Sequence, residues 1–140
     1  MLKEEYGYTR LDATDASQAM LNKAHDTGVY RNFYCCRIGD GHKLPIEDDT
    51  YDAAVMSGGM ALGHIMCDAF LELIRVVKPG GLIVNVMREE FIRTVEEYHN
   101  LQPSFKQWAD EKRWECIEQV IPPVKYYNDY DALVHVYRVL

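Results

Sequence analysis

The chain has 140 residues, enough for one domain with a sizeable core and small for a complete doubly wound sheet. Its composition, 48% hydrophobic and 26% charged with no repeat or low-complexity run, is that of a globular chain rather than a disordered one. A formal net charge of -7 with scattered Lys and Arg excludes the electrostatic footprint of a nucleic-acid binder. The opening Met-Leu-Lys-Glu-Glu lacks the apolar core of a signal peptide, and no apolar run approaches the roughly 20 residues of a membrane span, so a cytoplasmic protein without a membrane partner is expected.

Residues 8–14 are β-tolerant and read as a strand; Ser17 then makes an N-cap for a helix carrying Met20, Leu21 and Ala24, with Met20 assigned to its core, that stops at Gly28. Residues 32–38 (NFYCCRI) are a second expected strand, closed by Gly39-Asp40-Gly41. Pro45 blocks helix in the charged connection that follows, and YDAAVMS (51–57) reads as a buried strand ending at Gly58-Gly59. Phe70, Leu71, Ile74 and Val77 recur at helical spacing within 67–77. Pro79-Gly80-Gly81 signals a turn, and LIVNVM (82–87) supplies the next strand. Residues 89–100 read as a helix, Pro103 as a break before a shorter helix over 105–112, and 114–124 with 132–139 as an antiparallel pair joined by 125–131. The expected fold class is α/β and Rossmann-like: a mostly parallel sheet with helices on both faces and a C-terminal antiparallel hairpin, in a single domain over 1–140.

Cys35, Cys36, Cys67 and Cys116 lack the C-x-x-C spacing of a zinc or redox site and read as buried structural thiols; no two of the five histidines stand at i, i+4, and no metal site is expected. In sheets of this type ligands gather beyond the carboxyl ends of the strands. Asp15, Asp40 and Ser57 with Gly58 and Gly59 fall at such ends and would line one crevice. An acid at Asp15, between a strand and a helix, stands where ribose hydroxyls are bound in dinucleotide sheets, and Asp40 is able to accept from an exocyclic amine. Taken singly, each acid reads more readily as turn or cap chemistry. His64 is better read as a loop residue than as a base, and Tyr126, Tyr127 and Tyr130 as rim residues than as an acceptor platform. Residues 39–44 lack the third glycine of a dinucleotide fingerprint, and 58–63 lack the Lys of a P-loop.

The ordered set LDATDASQAML (11–21), GDGHKLPIEDDTYDAAVMSGGMALGH (39–64) and DAFLELIRVVKPGGLIVNVMREE (68–90), with the looser tail ALVHVYRVL (132–140), resembles the class I S-adenosylmethionine-dependent methyltransferases, and in particular the methyltransferase-like group of the Williams–Beuren region. The resemblance implies S-adenosylmethionine as cofactor, with Asp15 on the ribose, Ala16 beside the adenine, and Asp40 with the Gly41 backbone holding the adenine ring. Ser57 and Gly58 would border the methionine end and the acceptor, an unknown small molecule or protein. Asp15, Asp40 and Gly58 are expected to approach one another at one edge of the sheet. Methyl transfer of this kind depends on positioning two reactants, so no catalytic residue is assigned.

The family's glycine-rich loop is expected about 20 residues ahead of the ribose acid, whereas 14 residues precede Asp15. The resemblance therefore implies a truncated product or incomplete gene model, with residues 1–7 ending the first helix, the central strand and loop missing, and cofactor binding weak or absent. A non-catalytic scaffold or heterodimer partner is the rival expectation, which an exposed apolar seam beside 51–57 would favour. A nucleotide-dependent oxidoreductase ranks third, because it needs the same loop.

Overall fold

The computed structural model describes residues 3–140, and the chain divides into two compact units, Met1–Arg37 with His42–Pro45, and Ile38–Gly41 with Ile46–Leu140. Of the helix end expected over 1–7, residues 1 and 2 lie outside the described residues, and the rest is a turn closed by the Gly7 N–H on the Lys3 carbonyl.

In the smaller unit, β1 (Ala13–Asp15) pairs in parallel with β2 (Phe33–Cys35), and α1 (Gln18–Asp26) joins them. Both strands are shorter than the sequence predicts, and Asp12 is part of the reason. Its carboxylate, 5% exposed, accepts from Arg31 Nε at 3.0 Å and Nη2 at 2.9 Å and from Asn32 Nδ2 at 3.2 Å, so this residue anchors the entry to the ladder. The start of α1 is as expected: Ser17 is extended at φ -100, ψ 111, and its hydroxyl accepts from the Met20 N–H. The helix buries Leu21, while Met20 is 51% exposed, which corrects its assignment to the core. A short amphipathic helix on a two-stranded sheet has one narrow inward stripe, and Leu21 occupies it.

The larger unit runs β3 (Tyr51–Ser57), α2 (Ala69–Val76), β4 (Val77–Arg88), α3 (Phe91–Thr94), a 3-10 turn (Glu96–Tyr98), α4 (Leu101–Asp110), β5 (Trp114–Val120), β6 (Lys125–Tyr127) and β7 (Tyr130–Val139). Its strand order is β3-β4-β7-β5, with β6 on β7; β3 and β4 are parallel and the remaining pairs antiparallel. The C-terminal hairpin is present, and the connection 125–131 contributes β6 to it. Period-two alternation sets the faces. Ile83, Asn85 and Met87 of β4 stand opposite Tyr137, His135 and Leu133 of β7, and all six are buried. Helices α2 and α4 cover this face through a T-shaped cluster, Phe70 to Phe105 at 4.6 Å and Phe105 to Trp114 at 5.0 Å, while Trp114 stacks on Tyr137 at 4.0 Å. Leu82, Val84, Val86, Val134 and Val136 on the opposite face are half-buried.

Three local expectations are corrected. Pro103 lies inside α4 rather than ahead of it, because in the first turn of a helix its missing N–H has no intrahelical partner to lose. The helix expected over 89–100 breaks at Val95, extended at φ -110, ψ 113, which lets Val95 and Tyr98 both reach the core. The thiols are not buried: Cys35 and Cys116 are exposed and Cys36 and Cys67 intermediate. β5 is the last strand in the sheet order, and beyond Trp114 its residues face solvent. Among the described residues no helix is long and apolar enough to cross a membrane.

Candidate functional site

The six expected site residues fall in both units. Asp15 and Ala16 stand in the smaller one, and Asp40, Gly41, Ser57 and Gly58 in the larger.

Asp15 closes β1 and is half-buried. Its Oδ1 accepts from the Ser17 N–H at 2.7 Å, the turn chemistry expected of an Asp between a strand and a helix. That bond occupies one oxygen and fixes the carboxylate plane. A carboxylate has about four lone-pair sites, so acceptor capacity for a pair of vicinal hydroxyls is left. The Ala16 carbonyl accepts from Cys35 Sγ at 3.8 Å, and its methyl is exposed.

In the larger unit, Gly39, Asp40 and Gly41 take φ of 81°, 53° and 75°, three left-handed residues in succession. Asp40 is exposed, and its N–H donates to Asp68 Oδ2 at 2.6 Å. Gly39 is required here by space as well as by φ: a Cβ would lie 2.9 Å from Asp68 Oδ1 and 3.2 Å from the Ala69 backbone nitrogen. Asp68 was not among the expected site residues. No spacing rule reveals it, since its bond spans 28 residues.

Ser57 ends β3 opposite Val86, and the Gly58 N–H donates to the Val86 carbonyl at 3.0 Å, carrying the parallel ladder one step further. A Cβ on Gly58 would lie 2.7 Å from Tyr126 Oη, so the β6 hydroxyl rests over the bare glycine at the carboxyl end of β3. This brings one of the rim tyrosines to an expected site residue. The loop beyond Gly58 is tied down by Tyr98, whose hydroxyl lies 2.8 Å from the Ala61 carbonyl and 2.9 Å from that of Ile65; burial pushes the phenol up to about 12. Neighbouring Cys67 donates to the Glu97 carbonyl and is pushed up to about 11 by partial burial and by Asp68, which keeps it a thiol at neutral pH. His64 is an exposed loop residue with Nδ1 2.9 Å from the Leu62 carbonyl. At the end of β4, the Arg88 guanidinium pairs with Glu90 and lies 3.4 Å from the Tyr130 ring centroid and 4.7 Å from that of Phe91.

Behind this end of the sheet, His135 is fully buried and burial pushes it down to about 4, so the ring is neutral. Nδ1 faces Asn85 Nδ2 at 3.3 Å and Nε2 faces Gln102 at 3.2 Å, a bridge between β4, β7 and α4. Among the described residues no group of three or more His, Cys, Asp or Glu is arranged to hold a metal ion.

Comparison with known proteins gives the fold its family. A methyltransferase-domain model matches residues 1–85, a stretch that contains all six expected residues. The chain belongs to this methyltransferase family. Methyltransferase-like protein 27 of Homo sapiens is 36% identical over 77 residues, covering 55% of this chain and 31% of that protein. The chain spans about a third of the length of such relatives. Among solved structures, a chain in the complex of the Haloferax volcanii Trm112 methyltransferase activator shares the fold at a TM-score of 0.67 and 18% identity, over 99% of this chain and 75% of that one. An S-adenosylmethionine dependent methyltransferase from Mesorhizobium loti matches at 0.60 and 16%, over 96% and 82%. The methyltransferase fold inferred from the three ordered motifs is therefore the fold of this chain.

Proposed function

We propose that the chain acts in S-adenosylmethionine-dependent methyl transfer, with Asp15 accepting from the ribose hydroxyls, Ala16 beside the adenine, Asp40 and the Gly41 backbone on the adenine edge, and Ser57 and Gly58 beside the methionine end and the acceptor. The observation that carries this reading is the family match over 1–85, which encloses every one of these positions. When bound, the cofactor supplies an electrophilic methyl group on a sulfonium. The residues of the chain hold and orient: Asp15, already fixed by Ser17, offers its open acceptor sites, and the turn at Asp40 presents a second carboxylate. No proton acceptor is required of the protein where the acceptor atom carries a lone pair at neutral pH, which agrees with the absence of an assigned catalytic residue. Calorimetry with S-adenosylhomocysteine tests the proposal. Saturable binding that Asp15→Ala weakens at least about tenfold, the scale of charge-assisted hydrogen bonds, is the expected result. No heat of binding at millimolar ligand overturns it.

The second reading is a non-catalytic methyltransferase-like scaffold or heterodimer partner. One observation favours it: among the described residues β3 pairs with β4 alone, and Val55 on that strand is 60% exposed, an apolar seam at an open edge. The Haloferax neighbour is found in complex with an activator, and a protein partner on this chain would be of the same kind. Light scattering of the purified chain separates the two readings, since a scaffold self-associates or is recovered with its partner while binding no cofactor.

A further inference from the structure

We infer that Asp68 is a positioning residue for the adenine-binding turn, holding Gly39-Asp40-Gly41 in the left-handed conformation that presents the Asp40 carboxylate. The inference rests on the reading of Asp40 and Gly41 as adenine contacts and adds a residue from a distant element. Asp68 occupies the N-cap position of α2, where an Asp ordinarily accepts from its own helix. It makes no such bond: its backbone is helical at φ -65, ψ -15, and its side chain turns outward to the Asp40 N–H at 2.6 Å. A residue with a Cβ held at positive φ is strained and persists where its surroundings over-determine it. For Asp40 at φ 53° that surrounding is Asp68, packed so closely that only glycine fits at position 39. Asp40's own carboxylate is exposed and accepts no hydrogen bond from the described residues, so the conformation is set by a different residue and the acceptor group is left for a ligand.

The other end of α2 completes the brace. Arg75 Nη1 donates to the Ile46 carbonyl at 2.8 Å and to Asp48 Oδ1 at 2.5 Å, while Glu72, buried beneath it, pairs with the same guanidinium. The backbone N–H groups of Asp49 and Thr50 donate to the carbonyls of Arg75 and Val76, both at 2.9 Å. One two-turn helix thus holds the turn through Asp68, which accepts from the Asp40 N–H, and the chain that follows the turn through its other end.

Calorimetry of the full 140-residue chain with S-adenosylhomocysteine and with its inosine counterpart, which has a carbonyl in place of the exocyclic amine, tests the role. Asp68→Ala is expected to lose about tenfold or more in affinity for the adenosine ligand, the scale of one charge-assisted hydrogen bond, and less than about threefold for the inosine ligand, which has no amine to donate to Asp40. Asp68→Asn keeps an acceptor oxygen and is expected to stay within about threefold of the unmodified chain for both ligands. Equal losses for both ligands, or no loss for either, would overturn the positioning role. Failure of the unmodified chain to bind S-adenosylhomocysteine overturns the cofactor reading and this inference together, whereas an unchanged Asp68→Ala beside a binding parent overturns this inference alone.

Discussion

The two units of the chain are held by different physics. Among the described residues, all but two of the buried apolar side chains belong to the larger unit; the exceptions are Leu21 and Leu44. The larger unit closes around Phe70, Phe105, Trp108, Trp114 and Tyr137, a cluster in which the other three rings each contact both Phe105 and Trp114. The smaller unit has a three-pair ladder and directional bonds in place of a core: Asp12 on Arg31 and Asn32, Asp15 on Ser17, and the Ser17 cap on Met20. Packing free energy scales with buried apolar area, and local opening is cheapest where that area is small. The smaller unit is therefore the first to open, and it carries the proposed ribose acid. Binding a ligand at Asp15 would stabilise the part of the chain with least stability of its own.

The comparison breaks most visibly in the larger core. Trp114 is fully buried, stacks on Tyr137 and donates through Nε1 to the Phe105 carbonyl at 3.1 Å. Trp114→Ala is expected to cost about 3–5 kcal/mol, transfer and cavity terms together, read as a lower urea midpoint by far-UV circular dichroism. If the midpoint stays within error of the parent, packing does not hold this unit and the contrast fails.

His135 gives the larger unit a pH dependence. Its folded-state pKa of about 4 lies below the ordinary 6.5, so the unfolded chain binds the proton more readily. The stability it contributes is present above pH 6.5 and is lost progressively as the pH falls to about 4, a change of about 3 kcal/mol over that window. Urea midpoints between pH 7 and pH 4 should fall, and His135→Gln, which keeps a polar bridge to Asn85 and Gln102, should flatten the slope. A slope unchanged by the substitution would assign the acid sensitivity to other groups.

Much of this was legible in the sequence, and the failures have a common cause. The strand at 51–57, the Ser17 cap and the terminal antiparallel pair follow from local periodicity and capping, which are encoded within a few residues, but 51–57 is not the buried strand expected and α2 buries Phe70, Leu73 and Val76 while the expected Leu71 is exposed. What escaped local reading is decided across the chain. Nothing near Val95 is a helix breaker; the break serves to bury Val95 and Tyr98 together. Pro79-Gly80-Gly81 reads as a turn, yet Val77 already pairs with Tyr51, so β4 starts before it and the register shifts to absorb it. At the site, the turn role of Asp15 was visible because strand, acid and cap are contiguous, and one of its oxygens accepts from the Ser17 N–H as that reading expects; its ribose role is the proposal. The contact of Asp68 with Asp40 was invisible because it spans 28 residues, and Tyr126, weighed and set aside as a rim residue, meets Gly58 only through the fold.

In the smaller unit the effects are smaller and local. Asp12→Ala removes a nearly buried carboxylate from a two-pronged Arg31 contact and from Asn32. Arg31, half-exposed, is resolvated when released, so the loss is expected at about 1–2 kcal/mol. It should appear in hydrogen exchange as faster labelling of peptides spanning 11–36, with the larger unit unchanged. Equal deprotection of both units would show that they unfold as one, and the comparison would collapse into a single cooperative domain.

The mildest test is the cap of α1. Ser17 accepts from the Met20 N–H at 3.4 Å, a long bond at an exposed helix end, so Ser17→Ala is expected near the low end for N-caps, about 0.5–1 kcal/mol. Ser17 also donates its backbone N–H to Asp15, and the alanine keeps that donor. The substitution therefore separates two functions that share one residue. If the Asp15 turn is set by the backbone alone, Ser17→Ala loosens α1 in hydrogen exchange while leaving affinity for S-adenosylhomocysteine within about twofold, a difference of a few tenths of a kcal/mol. A larger loss of affinity would mean that the helix, and not the turn, holds the ribose acid in place.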